Sequence, residues 1–221
     1  MGPFLVLASS SPRRFELLTQ NGFSFEVVAP AVDERCDAAL TLRELATWNA
    51  LRKGFGVART HPDKVILAAD TLVALHGEII GKPRDRAEAA RILRRLSGNV
   101  HEVCSAVFLG HLALERTLVF QDVSHVRFKR LSREEIDRYI DRVNPLDKAG
   151  AYAAQGEGGK IIEQIDGSYS NVVGLPMEQS IPALRRFGIA AKPPNESQPR
   201  PAASRPCQPY RASTPGKGTR R

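Results

Sequence analysis

The chain has 221 residues, 42% hydrophobic and 25% charged, enough for one full-sized domain or two small lobes, and no run of about 18 apolar residues that would cross a bilayer. Its opening Met-Gly-Pro-Phe-Leu-Val-Leu lacks the basic region of a secretory signal, so it reads as a strand and the expected setting is the cytoplasm. The cysteines, Cys36, Cys104 and Cys207, are odd in number and share no ligand spacing, which points to reduced thiols and away from a disulfide scaffold or a zinc site.

The first predicted strand is Phe4 to Ala8. It runs into LASSSPRR, where Ser11 stands at a helix N-cap position, Pro12 at the first helical position, and Phe15, Leu17 and Leu18 form an apolar face before Asn21-Gly22. Ser9, Ser10, Ser11, Arg13 and Arg14 therefore fall at a strand-to-helix turn, where the helix dipole already favours an anion. Two arginines at the positive end of a helix are electrostatically opposed unless an anion faces them, and hydroxyls with guanidinium forks match phosphate oxygens. The alternative is a plain helix cap with a solvated first turn.

Phe23 to Val28 is a second strand, followed by a polar turn at Val32-Asp33-Glu34. Thr41 with Glu44 forms a capping box for a helix to about Ala58, with Leu45, Trp48 and Phe55 on its inner side. Val65 to Ala69 is a buried strand expected to end at Asp70-Thr71. A carboxylate there stands where open α/β sheets place ligand chemistry. It could hold a divalent metal, accept a proton from water or cap the next turn, and Asp33 and Glu34 could complete a carboxylate pair for Mg²⁺ or Mn²⁺.

Leu72 to Leu75 and Glu78 to Ile80 flank a hairpin turn at His76-Gly77. Lys82, in Gly81-Lys82-Pro83, either neutralises phosphate or lies on the surface, and no P-loop pattern is present. A helix capped by Asp85 and Glu88 puts Ala89, Ile92, Leu93 and Leu96 inward. Val100 to Leu109 and Leu112 to Lys129 alternate as two long antiparallel strands joined near Gly110, and Ser132 with Glu135 opens a helix to about Val143.

The glycine-rich DKAGAYAAQGEGG has the composition of a functional loop, and Gln155 within it carries donor and acceptor groups suited to a base edge. A strand at Lys160 to Ile165, a Gly-Ser-Tyr-Ser turn and a helix from about Pro176 to Phe187 complete the body. Interleaved strands, helices and hairpins predict an α/β domain around a mixed sheet. The scattered histidines match no hydrolase triad.

From residue 190 on, the sequence is a Pro-, Ser- and Arg-rich extension in which seven basic residues face the single acid Glu196. Most of the net charge of +8 therefore belongs to this tail, and its poverty in aliphatic residues predicts disorder. Nucleic acid is not an expected partner of the body, and any such affinity would reside in the tail.

LASSSPRR, Ala69-Asp70-Thr71, Gly81-Lys82-Pro83, Leu96-Ser97-Gly98, Asp147-Lys148-Ala149-Gly150-Ala151-Tyr152, Gln155-Gly156 and Ser170 to Pro176 occur in the order seen in the Maf family of nucleoside triphosphate pyrophosphatases. The chain resembles that family over residues 4 to 187, so the expected domain is 1–189, with 190–221 as the tail. The resemblance implies a house-cleaning enzyme that uses a divalent metal, Mg²⁺ or Mn²⁺, to hydrolyse a nucleoside triphosphate to the monophosphate and pyrophosphate. It also implies an elongated, twisted mixed sheet with two lobes around a deep cleft, similar to inosine-triphosphate pyrophosphatases. A homodimer would fit the family.

By the same resemblance, the Ser-x-Ser-x-x-Arg signature falls on Ser9, Ser11 and Arg14, the proton acceptor on Asp70 and the phosphate-contacting lysine on Lys82. Metal ligation falls on Glu34 and secondarily on Asp70. Arg13, Thr71 and Gln155 occupy positions tied to substrate choice and resemble the branch acting on dTTP and UTP. The alternatives are the branch acting on 7-methyl-GTP, or a non-enzymatic division regulator or nucleic-acid binder working through the tail. Asn49 stands where a lysine is expected, with Lys53 one helical turn later as its replacement. Ala154 stands in place of isoleucine, and Glu157 adds an acid beside the cleft.

Overall fold

A computed structural model of the chain describes residues 4–32 and 39–192. Glu34, Cys36, Cys207 and the tail beyond Lys192 lie outside the described residues, so the expectations placed on them are not addressed by the structure.

The first strand, β1 (Leu5–Ala8), is buried at every position and lies between two parallel neighbours, β2 (Phe25–Val27) and β3 (Val65–Leu75). The hairpin strand β4 (Glu78–Ile80) folds back on the far end of β3. His76 and Gly77, both at positive φ, make the turn between them, as a two-residue hairpin loop requires. The long strands β5 (Val100–His111) and β6 (Arg116–Phe128) and then β7 (Ile162–Asp166) continue the sheet antiparallel, giving the order β2-β1-β3-β5-β6-β7. The mixed α/β sheet is the fold class expected.

Alternation along the strands sends residues to two different layers. Leu5, Leu7, Val65, Leu67 and Ala69 join a large core with Leu17 and Leu18 of α1 (Pro12–Gln20), and with α3 (Arg86–Leu96), α4 (Arg133–Arg142), α5 (Tyr169–Val173) and α6 (Met177–Arg186). Val6, Ala8, Ile66 and Ala68 face the opposite way, against Val57 and Ala58 of α2 (Leu42–Ala58) and Phe108 of β5.

Several local expectations need correction. β3 does not stop at Ala69. It runs eleven residues, because β5 pairs with it from Ile66↔Gly110 to Ala74↔Glu102. The parallel partner β1 ends earlier, at Ala8↔Ala68, so Asp70 and Thr71 lie inside a strand at the point where its other neighbour has left. β5 likewise passes through Gly110, and the reversal is a short 3₁₀ turn at Leu112–Leu114.

Trp48 is 48% exposed and Phe55 only partly buried, whereas the inner side of α2 carries Leu45, Ala46, Asn49, Ala50, Lys53 and Gly54. The small residues decide this, since Ala46, Ala50 and Gly54 let the helix lie close on the sheet. A Cβ at Gly54 would overlap the Phe108 ring. Phe15 is also exposed, edge-on to Phe25. The Gly-Ser-Tyr-Ser turn leads directly into α5, where the Ser168 side chain accepts the Asn171 N–H.

Candidate active site

The site begins where β1 gives way to α1. The Ser9 hydroxyl accepts the Ser11 N–H at 3.2 Å, a local turn that brings the chain round into the helix. Ser11 is the N-cap residue, yet its side chain makes no capping hydrogen bond, and the first turn of α1 contains no acid. The positive end of this helix therefore faces the cleft with hydroxyls and arginines around it, an arrangement suited to an anion.

Arg14 is only 8% exposed. Its Nε donates to Gly174 O at 2.8 Å, Nη1 to Ser9 Oγ at 3.1 Å and Nη2 to Thr71 Oγ1 at 2.9 Å. The fork thus joins α1, β3 and the end of α5. A consistent chain of protons continues from it: Thr71 donates to Ser105 Oγ at 2.8 Å, and Ser105 Oγ donates to Asn171 O at 2.9 Å. Asn171, fully buried, accepts the Ser105 N–H with Oδ1 and donates with Nδ2 to Val103 O and Ser124 Oγ. Gly174 has φ 129, and a Cβ there would lie 3.4 Å from Thr71 Oγ1 and 3.7 Å from Arg14 Nε. A side chain would be strained at that φ and would crowd the Arg14 fork.

Asp70 is on the α2 side of β3 and only 3% exposed. Lys53 Nζ donates to its Oδ1 at 2.5 Å, and Asn49 Nδ2 donates to its Oδ2 at 3.2 Å. Both donors come from α2 at positions i and i+4, on one helical face.

Ser9, Ser11, Arg13, Arg14, Lys53, Asp70, Thr71 and Lys82 all line one cleft of about 310 Å³. Lys82 is brought to it by the turn after β4, where Gly81 O accepts the Gly150 N–H at 3.2 Å and ties that turn to the glycine-rich loop. Lys148, Ala149 and Tyr152 to Ala154 line the cleft as well. Asp147 also lines it, with Oδ2 3.5 Å from Arg13 Nη1 and Oδ1 2.5 Å from Lys148 Nζ. Burial pushes the Asp147 carboxyl up, but Lys148 and Arg13 outweigh it and hold the group below the usual carboxylate range.

Gln155 does not line this cleft. Its Nε2 reaches Glu16 Oε2 of α1 at 3.4 Å. Arg14, expected to grip substrate, lines the cleft and spends three of its five N–H groups on protein acceptors, so it also ties the walls together. Ser105 was not singled out from sequence, and Asp147 and Asn171 entered only as members of the family's motifs, with no role given. A serine inside the apolar run Val103 to Leu109 was the available signal for the first.

Among the described residues no group of three or more His, Cys, Asp or Glu forms a cation site. Asp70 does supply carboxylate oxygens in a cleft suited to phosphates. That fits Mg²⁺ or Mn²⁺, which is commonly held by one or two carboxylates plus substrate oxygens. Burial pushes the Cys104 thiol up to about 11, so it is an inert thiol under the sheet. No described helix is long and apolar enough to cross a membrane.

A family profile described as Maf-like protein matches residues 4–187. Relatives include the dTTP/UTP pyrophosphatase of Symbiobacterium thermophilum, 47% identical over 184 residues that cover 83% of this chain and 94% of that one. The protein of the same name from Bacillus pumilus is 42% identical, with 84% and 97% covered, and that from Salmonella typhimurium 47% identical, with 83% and 92% covered. The Ham1 protein of Staphylococcus aureus is a distant structural likeness, with a TM-score of 0.44 and 16% identity over 72% of this chain and 79% of that one.

Proposed function

The chain belongs to the Maf family, and on that footing we propose that it is a nucleoside triphosphate pyrophosphatase taking dTTP and UTP to the monophosphate and pyrophosphate. The observation that carries this is the meeting, in one cleft, of an anion-suited helix start with a nearly buried carboxylate, Asp70. The names of the relatives supply the nucleotides.

In the proposed reaction the polyphosphate lies against the start of α1, with the Ser9 and Ser11 hydroxyls, Arg13 and Lys82 offsetting its charge. Asp70 accepts a proton from a water that attacks the α-phosphorus. The bond from that phosphorus to the bridging oxygen breaks, and pyrophosphate leaves with its negative charge already countered, where most catalysis of phosphoryl transfer resides. Arg14 keeps Ser9 and Thr71 in register for this work. A divalent cation held by Asp70, with Glu34 as a further ligand, would neutralise phosphate oxygens when bound. Base selection is assigned to Arg13 and Thr71, which line the cleft, and not to Gln155, whose carboxamide is turned to Glu16.

The expected setting is the cytoplasm, where nucleotide pools reside, and the expected assembly is a homodimer. The test is a panel of triphosphates read by phosphate release with added inorganic pyrophosphatase. dTTP and UTP should give the highest kcat/KM. Preference for 7-methyl-GTP would overturn the base assignment, and release from none of them would overturn the activity.

A further inference from the structure

Asn49 lies 2% exposed on the inner face of α2, where an asparagine needs a reason. It is a weaker helix former than alanine or leucine, and its carboxamide must find partners once buried. Its Nδ2 is given to Asp70 Oδ2 at 3.2 Å, one helical turn before Lys53 gives its ammonium to Oδ1.

A carboxylate held at one oxygen can still turn about its Cβ–Cγ bond, because that torsion is broad. A donor at each oxygen removes the freedom. Two of the roughly four lone-pair sites then belong to α2, on a carboxylate that lines the cleft. The backbone beneath is fixed as well, since Asp70 pairs with Ala106 in the β3–β5 ladder.

We propose that Asn49 is a positioning residue that sets the plane of the Asp70 carboxylate, so that a lone pair meets the attacking water in line with the α-phosphorus. This rests on Asp70 being the proton acceptor. In this role Asn49 acts through Asp70. Its removal therefore lowers the rate of the chemical step and leaves nucleotide binding unchanged.

The experiment compares Asn49→Leu, Asn49→Ala and Asn49→Gln with the wild type and Asp70→Asn, using dTTP and a thermal melt of each. Leucine keeps the volume and loses the donor, alanine serves where leucine does not fold, and glutamine keeps a carboxamide on a longer stem. The expected result is a kcat about tenfold to a hundredfold lower in the leucine or alanine variant, with KM within about twofold and partial recovery of kcat in Asn49→Gln.

A folded variant without the donor that keeps kcat within about twofold of wild type overturns the inference, as does a loss confined to KM or to melting temperature. Those results would leave the activity itself standing if Asp70→Asn is dead. A wild-type chain that turns over no triphosphate would overturn the activity and the inference together.

Discussion

Lys53 Nζ lies 2.5 Å from Asp70 Oδ1, and both side chains are nearly sealed from water. Such a pair contributes little net stability, but removing one partner leaves a buried charge uncompensated, at about 3–5 kcal/mol. Lys53→Met should lower the unfolding free energy by that order and reduce turnover more than about tenfold. Urea unfolding and steady-state kinetics would check it, and unchanged kcat and KM would remove Lys53 from the site.

Asp70→Asn keeps the shape of the side chain and removes its capacity to accept a proton. Turnover of dTTP should vanish while a non-hydrolysable analogue still binds by calorimetry. Activity within about tenfold of wild type would count against Asp70 as the base.

The close seating of α2 can be probed at Gly54. An alanine there meets the Phe108 ring, and overpacking of this kind costs about 1–3 kcal/mol. Because the helix also carries Asn49 and Lys53, Gly54→Ala should reduce kcat as well as stability. Adding Phe108→Leu should restore part of both, measured by denaturation and kinetics.

Arg14→Lys keeps the charge and loses the fork that reaches Gly174 O, Ser9 Oγ and Thr71 Oγ1. A loss of about 2–3 kcal/mol is expected, since a point-charge ammonium cannot satisfy three separated acceptors. Equal stability of the two proteins in urea would show the fork to be dispensable.

His101 gives a pH dependence. Burial pushes it down from the ordinary 6.5 to about 4, with Nε2 2.8 Å from the Tyr152 hydroxyl and Nδ1 without a partner among the described residues. The unfolded chain binds the extra proton first. Stability is therefore full above about pH 6.5 and falls as pH drops toward and through about 4, by on the order of 3 kcal/mol in all. Urea midpoints across that window should fall for the wild type and flatten for His101→Gln.

The sheet, the helix caps and most of the cleft were legible because each rests on local chemistry. Thr41 with Glu44 and Ser132 with Glu135 form the capping boxes their spacing announced. The order of the motifs is itself the mark of the family. What failed depended on contacts distant in sequence. Trp48 has the spacing of a core residue, but the small Ala46, Ala50 and Gly54 turned another face of α2 to the sheet. Asp70 looked like a strand end because its own sequence cannot report that β5 continues to pair with it. The Arg14 fork spans 160 residues to Gly174, and neither that contact nor the drift of Gln155 toward Glu16 leaves a mark in local pattern.

The interior position of Asp70 and Thr71 in β3 also apportions motion within the molecule. Both pair with β5 inside a ladder that runs from Ile66 to Ala74, the kind of segment that opens last. Whatever rearrangement accompanies catalysis must then come from the rim, from the start of α1 and the glycine-rich segment joined by Arg13 and Asp147. Deuterium uptake during turnover should change in those two stretches and remain flat across residues 66 to 74.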